Sequence, residues 1–137
     1  MQNHLRELGR SRSYRETSFS ELTDLLIRSA ERERAGLERV VEAMLKIAHV
    51  IPLDSDIFHR AIRIQVALDM SSTQDSIVLA SIVSHLLETK PPESCFLNRN
   101  TKDFDDPNVR EILDGLGCRF FGRFDDGLRY IEARLRA

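Results

Sequence analysis

The sequence has no tryptophan, two cysteines, four prolines and six glycines in 137 residues. Two cysteines make no disulfide framework, and neither a CxxC pair nor a zinc-type His/Cys spacing occurs. Cys95 and Cys118 lie in the apolar runs SCFL and GCRFF, which predicts reduced, buried thiols in a cytoplasmic protein. So little Gly and Pro excludes a fibrous or disordered chain. No apolar run approaches the roughly 18 residues that cross a bilayer, so no membrane partner is expected. The opening MQNHLRELGR is polar and unlike a signal peptide or lipidation motif. A Gly-rich phosphate loop is missing. His4, His49, His59 and His85 stand in no recognisable arrangement with a Ser or Cys nucleophile. A marked excess of either charge is missing too, with 20 Lys and Arg against 22 Asp and Glu. The net charge of −2 gives no global attraction to nucleic acid, although it leaves room for a local acidic site.

What is present is an ordinary globular balance, with 42% hydrophobic and 31% charged residues, in a length that suits one domain spanning 1–137. Arg6, Arg10, Arg12 and Arg15 face only Glu7 in the first fifteen residues. They fit a solvated terminal helix or a phosphate-contacting arm.

The pattern along the chain predicts strands alternating with helices. A short helix over 2–9 ends at Gly9, and Tyr14–Phe19 is a first strand. Ser20 caps a helix carrying Leu22, Leu25 and Leu26. After ERERAGLER, the residues Leu37, Val40, Val41, Met44, Leu45 and Ala48 form an apolar stripe, a core face or a partner-binding face. HVIPL (His49–Leu53) reads as a strand ended by Pro52. Asp54 or Ser55 caps the next helix, and Ser71-Ser72-Thr73 opens another. Cys95–Leu97 suits a buried strand, followed by the polar loop NRNTKDFDD. A helix over Val109–Leu116, a strand over Cys118–Phe121 and a helix over Phe124–Arg136 complete the chain. This alternation predicts an α/β fold, a three-layer α/β/α arrangement with a mainly parallel sheet. Sites in such folds form beyond the carboxyl ends of strands.

Three acids stand at expected junctions of that kind: Glu21, Asp75 and Asp103. Carboxylates there can hold Mg²⁺ or Mn²⁺, which prefer hard oxygen ligands. They can equally serve only to complement a helix dipole. Asp106-Pro107 reads as a helix start, and Asp125 and Asp126 as caps of the last helix.

The segments around these acids resemble the PIN-domain family, the metal-dependent nuclease fold of VapC-type toxins. STQDSIVLAS is similar to the family's "xxDAIILA" pattern, and CFLNRNTKDF to its "hhhTRNxxDF" strand and loop. FSELTDLL is similar to the earlier family helix that begins with a Ser and a metal-binding Glu, and GCRFFGRFDDGLRYI suits the closing segment. The resemblance covers roughly residues 12–132. It implies catalytic and metal-site acids at Glu21, Asp75 and Asp103. It also implies supporting polar roles for Asn98, where the family often has Thr or Ser, and for Asn100, where it has Asp or Asn. It implies a Mg²⁺- or Mn²⁺-dependent endoribonuclease acting on single-stranded RNA, masked by a small antitoxin protein and able to form a homodimer. PIN domains open with a central apolar strand ending in Asp. Nothing before Glu21 matches it, so that strand and one metal-binding acid are expected to be missing. The alternative is therefore a non-catalytic, PIN-derived interaction or RNA-binding module.

Overall fold

The computed structural model describes residues 2–137, with side chains from Ser18 onward. The Arg6–Arg15 side chains lie outside the described ones. The chain divides into two units, the first running to Val50 and the second spanning Ile51–Ala137.

The first unit is essentially one helix, α1 (Gln2–Leu45). Its sequence explains the length. There is no proline before Pro52, and Leu, Arg and Glu dominate. Each interior glycine, Gly9 and Gly36, costs only about 1 kcal/mol relative to Ala. Three expectations give way here. Gly9 does not end a helix, Tyr14–Phe19 is not a strand, and Ser20 is an interior helical residue and not a cap. The aromatics Tyr14 and Phe19 are five residues apart, which would put them on opposite faces of a strand, so no buried β face was available. From Ser18 to Val50 every residue except Gly36 is exposed. The expected strand at HVIPL is also absent. Residues 48–54 are irregular, and Pro52 has no N–H to donate to a ladder.

The second unit is mixed α/β and mostly helical: α2 (Ser55–Ala67), α3 (Thr73–Thr89), β1 (Ser94–Leu97), α4 (Thr101–Phe104), α5 (Pro107–Gly115), β2 (Cys118–Phe121) and α6 (Phe124–Leu135). Asp54 caps α2, its Oδ1 accepting from Ile57 N at 2.8 Å. Asp106 caps α5, with Pro107 in the first turn. Lys90, left-handed at φ 46°, ends α3 before Pro91-Pro92. Gly117, at φ 70°, turns the chain into β2. The strands pair in parallel from Ser94↔Cys118 to Leu97↔Phe121, with α4 and α5 in the crossover. Two of the four expected strands therefore form among the described residues.

The core joins α3, α4, α5 and the sheet: Leu79, Val83, Leu86, Phe104, Val109, Leu113, Cys118 and Phe120. Phe96 meets Phe104 edge to face, with centroids 5.1 Å apart. Gly127 lets α6 lie directly on β1, because a Cβ there would overlap the Leu97 side chain.

The strand register also separates the cysteines. Cys118 shares a sheet face with Ser94, and Cys95 shares the other face with Arg119. The thiols are free; Cys118 is buried and Cys95 only half-buried. Burial foremost pushes both thiols above their ordinary value.

Candidate metal centre

Asp75 is the third residue of α3. Ser72 caps that helix, its Oγ accepting from Asp75 N at 3.2 Å. The next residue, Ser76, is fully buried and its Oγ donates to Thr73 O at 2.7 Å. The carboxylate thus projects from a capped, anchored turn, and is itself half-buried.

Asn98 directly follows β1, and its N–H donates to Phe121 O at 3.1 Å, extending the ladder by one bond. Its side-chain Oδ1 accepts from Asn100 N at 2.8 Å, an Asx turn that folds the chain back at the strand's carboxyl end. The turn directs the Asn100 amide to two carboxylates. Asn100 Nδ2 donates to Asp75 Oδ2 at 3.1 Å and to Asp103 Oδ2 at 2.9 Å. Asp103 is fixed by its neighbour Phe104, a fully buried core ring. Two acids 28 positions apart in sequence therefore share one amide. Their accepting oxygens are separated by no more than the two bonds laid end to end, about 6 Å. Each hydrogen of one NH₂ satisfies one carboxylate, so a small positive group lies between two negative ones.

Around this pair, Arg99 and Lys102 are exposed on the same loop. A cleft of about 130 Å³ adjoins Asp103, lined also by Asp69, Ser71, Lys102 and Asp106. Asp69 was not singled out by its sequence context. Its only local signal is its place at the end of α2, where it takes φ 50°, a conformation Asp tolerates better than most residues. A second, larger cleft is lined by Arg99, Thr101, Gly122 and Arg123.

The other acids have different work. Asp105 pairs with Arg110 at 2.5 Å. Asp106 caps α5. Asp125 and Asp126 lie in the first turn of α6 and do not cap it; the cap position is Arg123, and Asp126 binds Arg129 at 2.8 Å. Glu21 belongs to the first unit, exposed in the interior of α1 and not at a strand-to-helix junction. Among the described residues, no group of three or more His, Cys, Asp or Glu side chains is gathered so as to hold a metal ion.

Comparison with protein-family models, with curated proteins and with solved structures finds no match.

Proposed function

We propose that this chain is a PIN-like, divalent-metal-dependent endoribonuclease acting on single-stranded RNA, akin to VapC-type toxins, on a three-layer α/β/α plan. The observation that carries the reading is the pairing of Asp75 and Asp103 through Asn100, just beyond the carboxyl end of β1. The donor set suits Mg²⁺ or Mn²⁺: hard carboxylate oxygens, half-exposed, with space at the surface. Mg²⁺ is commonly held by one or two carboxylates together with water and substrate phosphate. Asp75 and Asp103, both in the second unit, would hold the ion. The ion, when bound, supplies Lewis acidity toward a phosphate and a water acidified for attack. The chain's own residues do the rest. Asn98 fixes the turn, and Asn100 holds both carboxylates in orientation. Arg99, Lys102 and Arg123 offer cationic contacts to RNA phosphates. A small antitoxin protein covering this acidic pocket, in the cytoplasm, completes the proposal.

One observation favours the second reading, a non-catalytic RNA- or partner-binding module. The second unit brings two carboxylates together, and two grip Mg²⁺ less firmly than three. We expect weak metal binding and slow cleavage. The test is Mn²⁺ titration by calorimetry beside cleavage of end-labelled single-stranded RNA, for the wild type, Asp75→Asn and Asp103→Asn. Chelator-sensitive cleavage lost in both variants supports the nuclease. Metal binding lost in the variants, with RNA bound but intact, supports the module. Cleavage indifferent to chelator and to both substitutions rejects the site.

A further inference from the structure

A cleft between the loops that follow β1 and β2 is not used by the carboxylate pair. It holds about 470 Å³, within the usual range for a small-ligand site. Its walls are Arg99, Thr101, Gly122, Arg123, Phe124 and Asp125, all within the second unit. Gly122 draws the two loops together, because a Cβ there would overlap the Thr101 methyl. Charged groups of both signs line this space without pairing to one another. Arg99 and Asp125 make no ion pair among the described residues, and Arg123 approaches only Asp126, at 3.9 Å. The neighbouring Asp126 is the one held by Arg129. Phe124 is 53% exposed and stacks on no other ring among the described residues.

We propose that this cleft is a guanine-nucleotide subsite for single-stranded RNA, next to the Asp75–Asp103 pair. The inference deepens the RNA reading above and rests on it. Unpaired guanidiniums and an unpaired carboxylate in one cleft fit a ligand with an anionic end and a hydrogen-bond-donating end. A nucleotide has both, and its base supplies a flat face for Phe124. Arg99 and Arg123 take the phosphate. Asp125 takes the base, and its two oxygens select among the four. Guanine alone sets two donors side by side, the N1–H and the 2-amino group, so it meets both carboxylate oxygens. Adenine and cytosine place a ring acceptor beside their amino group, which repels the carboxylate. Uracil offers one N–H between two acceptor oxygens. The chain itself puts the cleft next to the pair: Arg99 and Thr101 flank Asn100, each Cα about 3.8 Å from its own. The guanine therefore belongs to the nucleotide at or beside the phosphate that meets the proposed metal.

The test is RNA binding by the full chain in chelator, where metal-dependent cleavage does not intervene. Fluorescence anisotropy compares labelled hexauridylate with the same oligomer carrying one guanosine, adenosine or cytidine. The guanosine oligomer should bind at least about 10-fold more tightly than the other three, as one additional hydrogen bond to a charged group implies. Asp125→Asn should erase that preference without weakening the hexauridylate. Phe124→Ala should weaken all four about 10-fold. Arg99→Ala should weaken all four and lower the salt slope by about 0.7. The three side chains are exposed, and unchanged circular dichroism would show the variants folded. Equal affinity for the four oligomers overturns the proposal, and so does a guanosine preference that survives Asp125→Asn. Guanosine monophosphate competing as well as the oligomer would assign the cleft to a free nucleotide and overturn the RNA assignment. Guanosine preference without cleavage in Mn²⁺ supports the subsite and counts against the nuclease. Cleavage without the preference does the reverse.

Discussion

Replacing Asn100 with Ala isolates the interaction on which the candidate centre depends. The substitution removes an NH₂ that donates to both Asp75 and Asp103, at 3.1 and 2.9 Å. A hydrogen bond to a charged acceptor contributes about 1.5–3 kcal/mol when well buried. These groups are half-buried, so solvent screening reduces the pair to about 1–3 kcal/mol in total. The two carboxylates would then face each other across about 6 Å without the intervening amide. That repulsion is worth about 3 kcal/mol at an effective dielectric of 20 and under 1 kcal/mol in water, so it adds in the same direction. The urea midpoint should fall by about 1 M, for a slope of about 1–3 kcal/mol per molar. Mn²⁺ should narrow the gap between variant and wild type, because an ion bound between the carboxylates stabilises only the folded chain. Asn100→Asp sharpens the contrast: a third carboxylate should destabilise the metal-free protein further and bind Mn²⁺ more tightly. Asn108→Ala, on the exposed first turn of α5, is the control and should leave the midpoint within about 0.2 M. An equally small change for Asn100→Ala, with no response to Mn²⁺, would refute the coupling of the two acids.

Two further outcomes test the frame around the site. Gly127→Ala should destabilise by about 1–2 kcal/mol despite Ala's better helix propensity, because the new Cβ overlaps Leu97. Thermal unfolding of the double variant with Leu97→Ala should show a loss smaller than the sum of the two single losses, and additive losses would argue against that contact. The two thiols give a pH signature. Both are pushed up from the ordinary 9.0 in the folded chain, chiefly by burial. Their contribution is fully present below the unfolded value and is lost as pH rises through the folded values. Stability should therefore fall above about pH 9, less steeply in Cys118→Ala. Alkylation of the native protein at neutral pH should be slow, and rapid modification of Cys118 would contradict its burial.

What the sequence makes legible follows how local the determining physics is. Asp54, Ser72 and Asp106-Pro107 announce helix starts by short-range hydrogen bonding and fixed φ, and the chain obeys them. Cys95–Leu97 and Cys118–Phe121 are apolar runs between turn signals, and both become strands. At the N-terminal end no comparable punctuation exists. Gly9 is a weak break against a long run of helix formers, and Tyr14–Phe19 offers no alternating face, so propensity carries α1 through both. That single difference moves Glu21 from a strand end into a helix interior. The expected site rested on three acids, each assigned by its own junction. Only Asp103 follows a strand, β1; Asp75 opens α3 after the turn from α2 and not after a strand, and the two acids meet at Asn100. The encounter itself was not readable from spacing, since 27 residues, including most of α3 and the strand β1, lie between Asp75 and Asp103. It depends on the Asn98 turn and on Phe104 holding the loop in the core. The polar loop NRNTKDF carries both devices: asparagines that turn the backbone at the end of β1, and one aromatic that pins the neighbouring acid. A loop built from an Asn turn and a buried ring sets the Asp103 carboxylate beside Asn100, the geometry on which the proposed metal site rests.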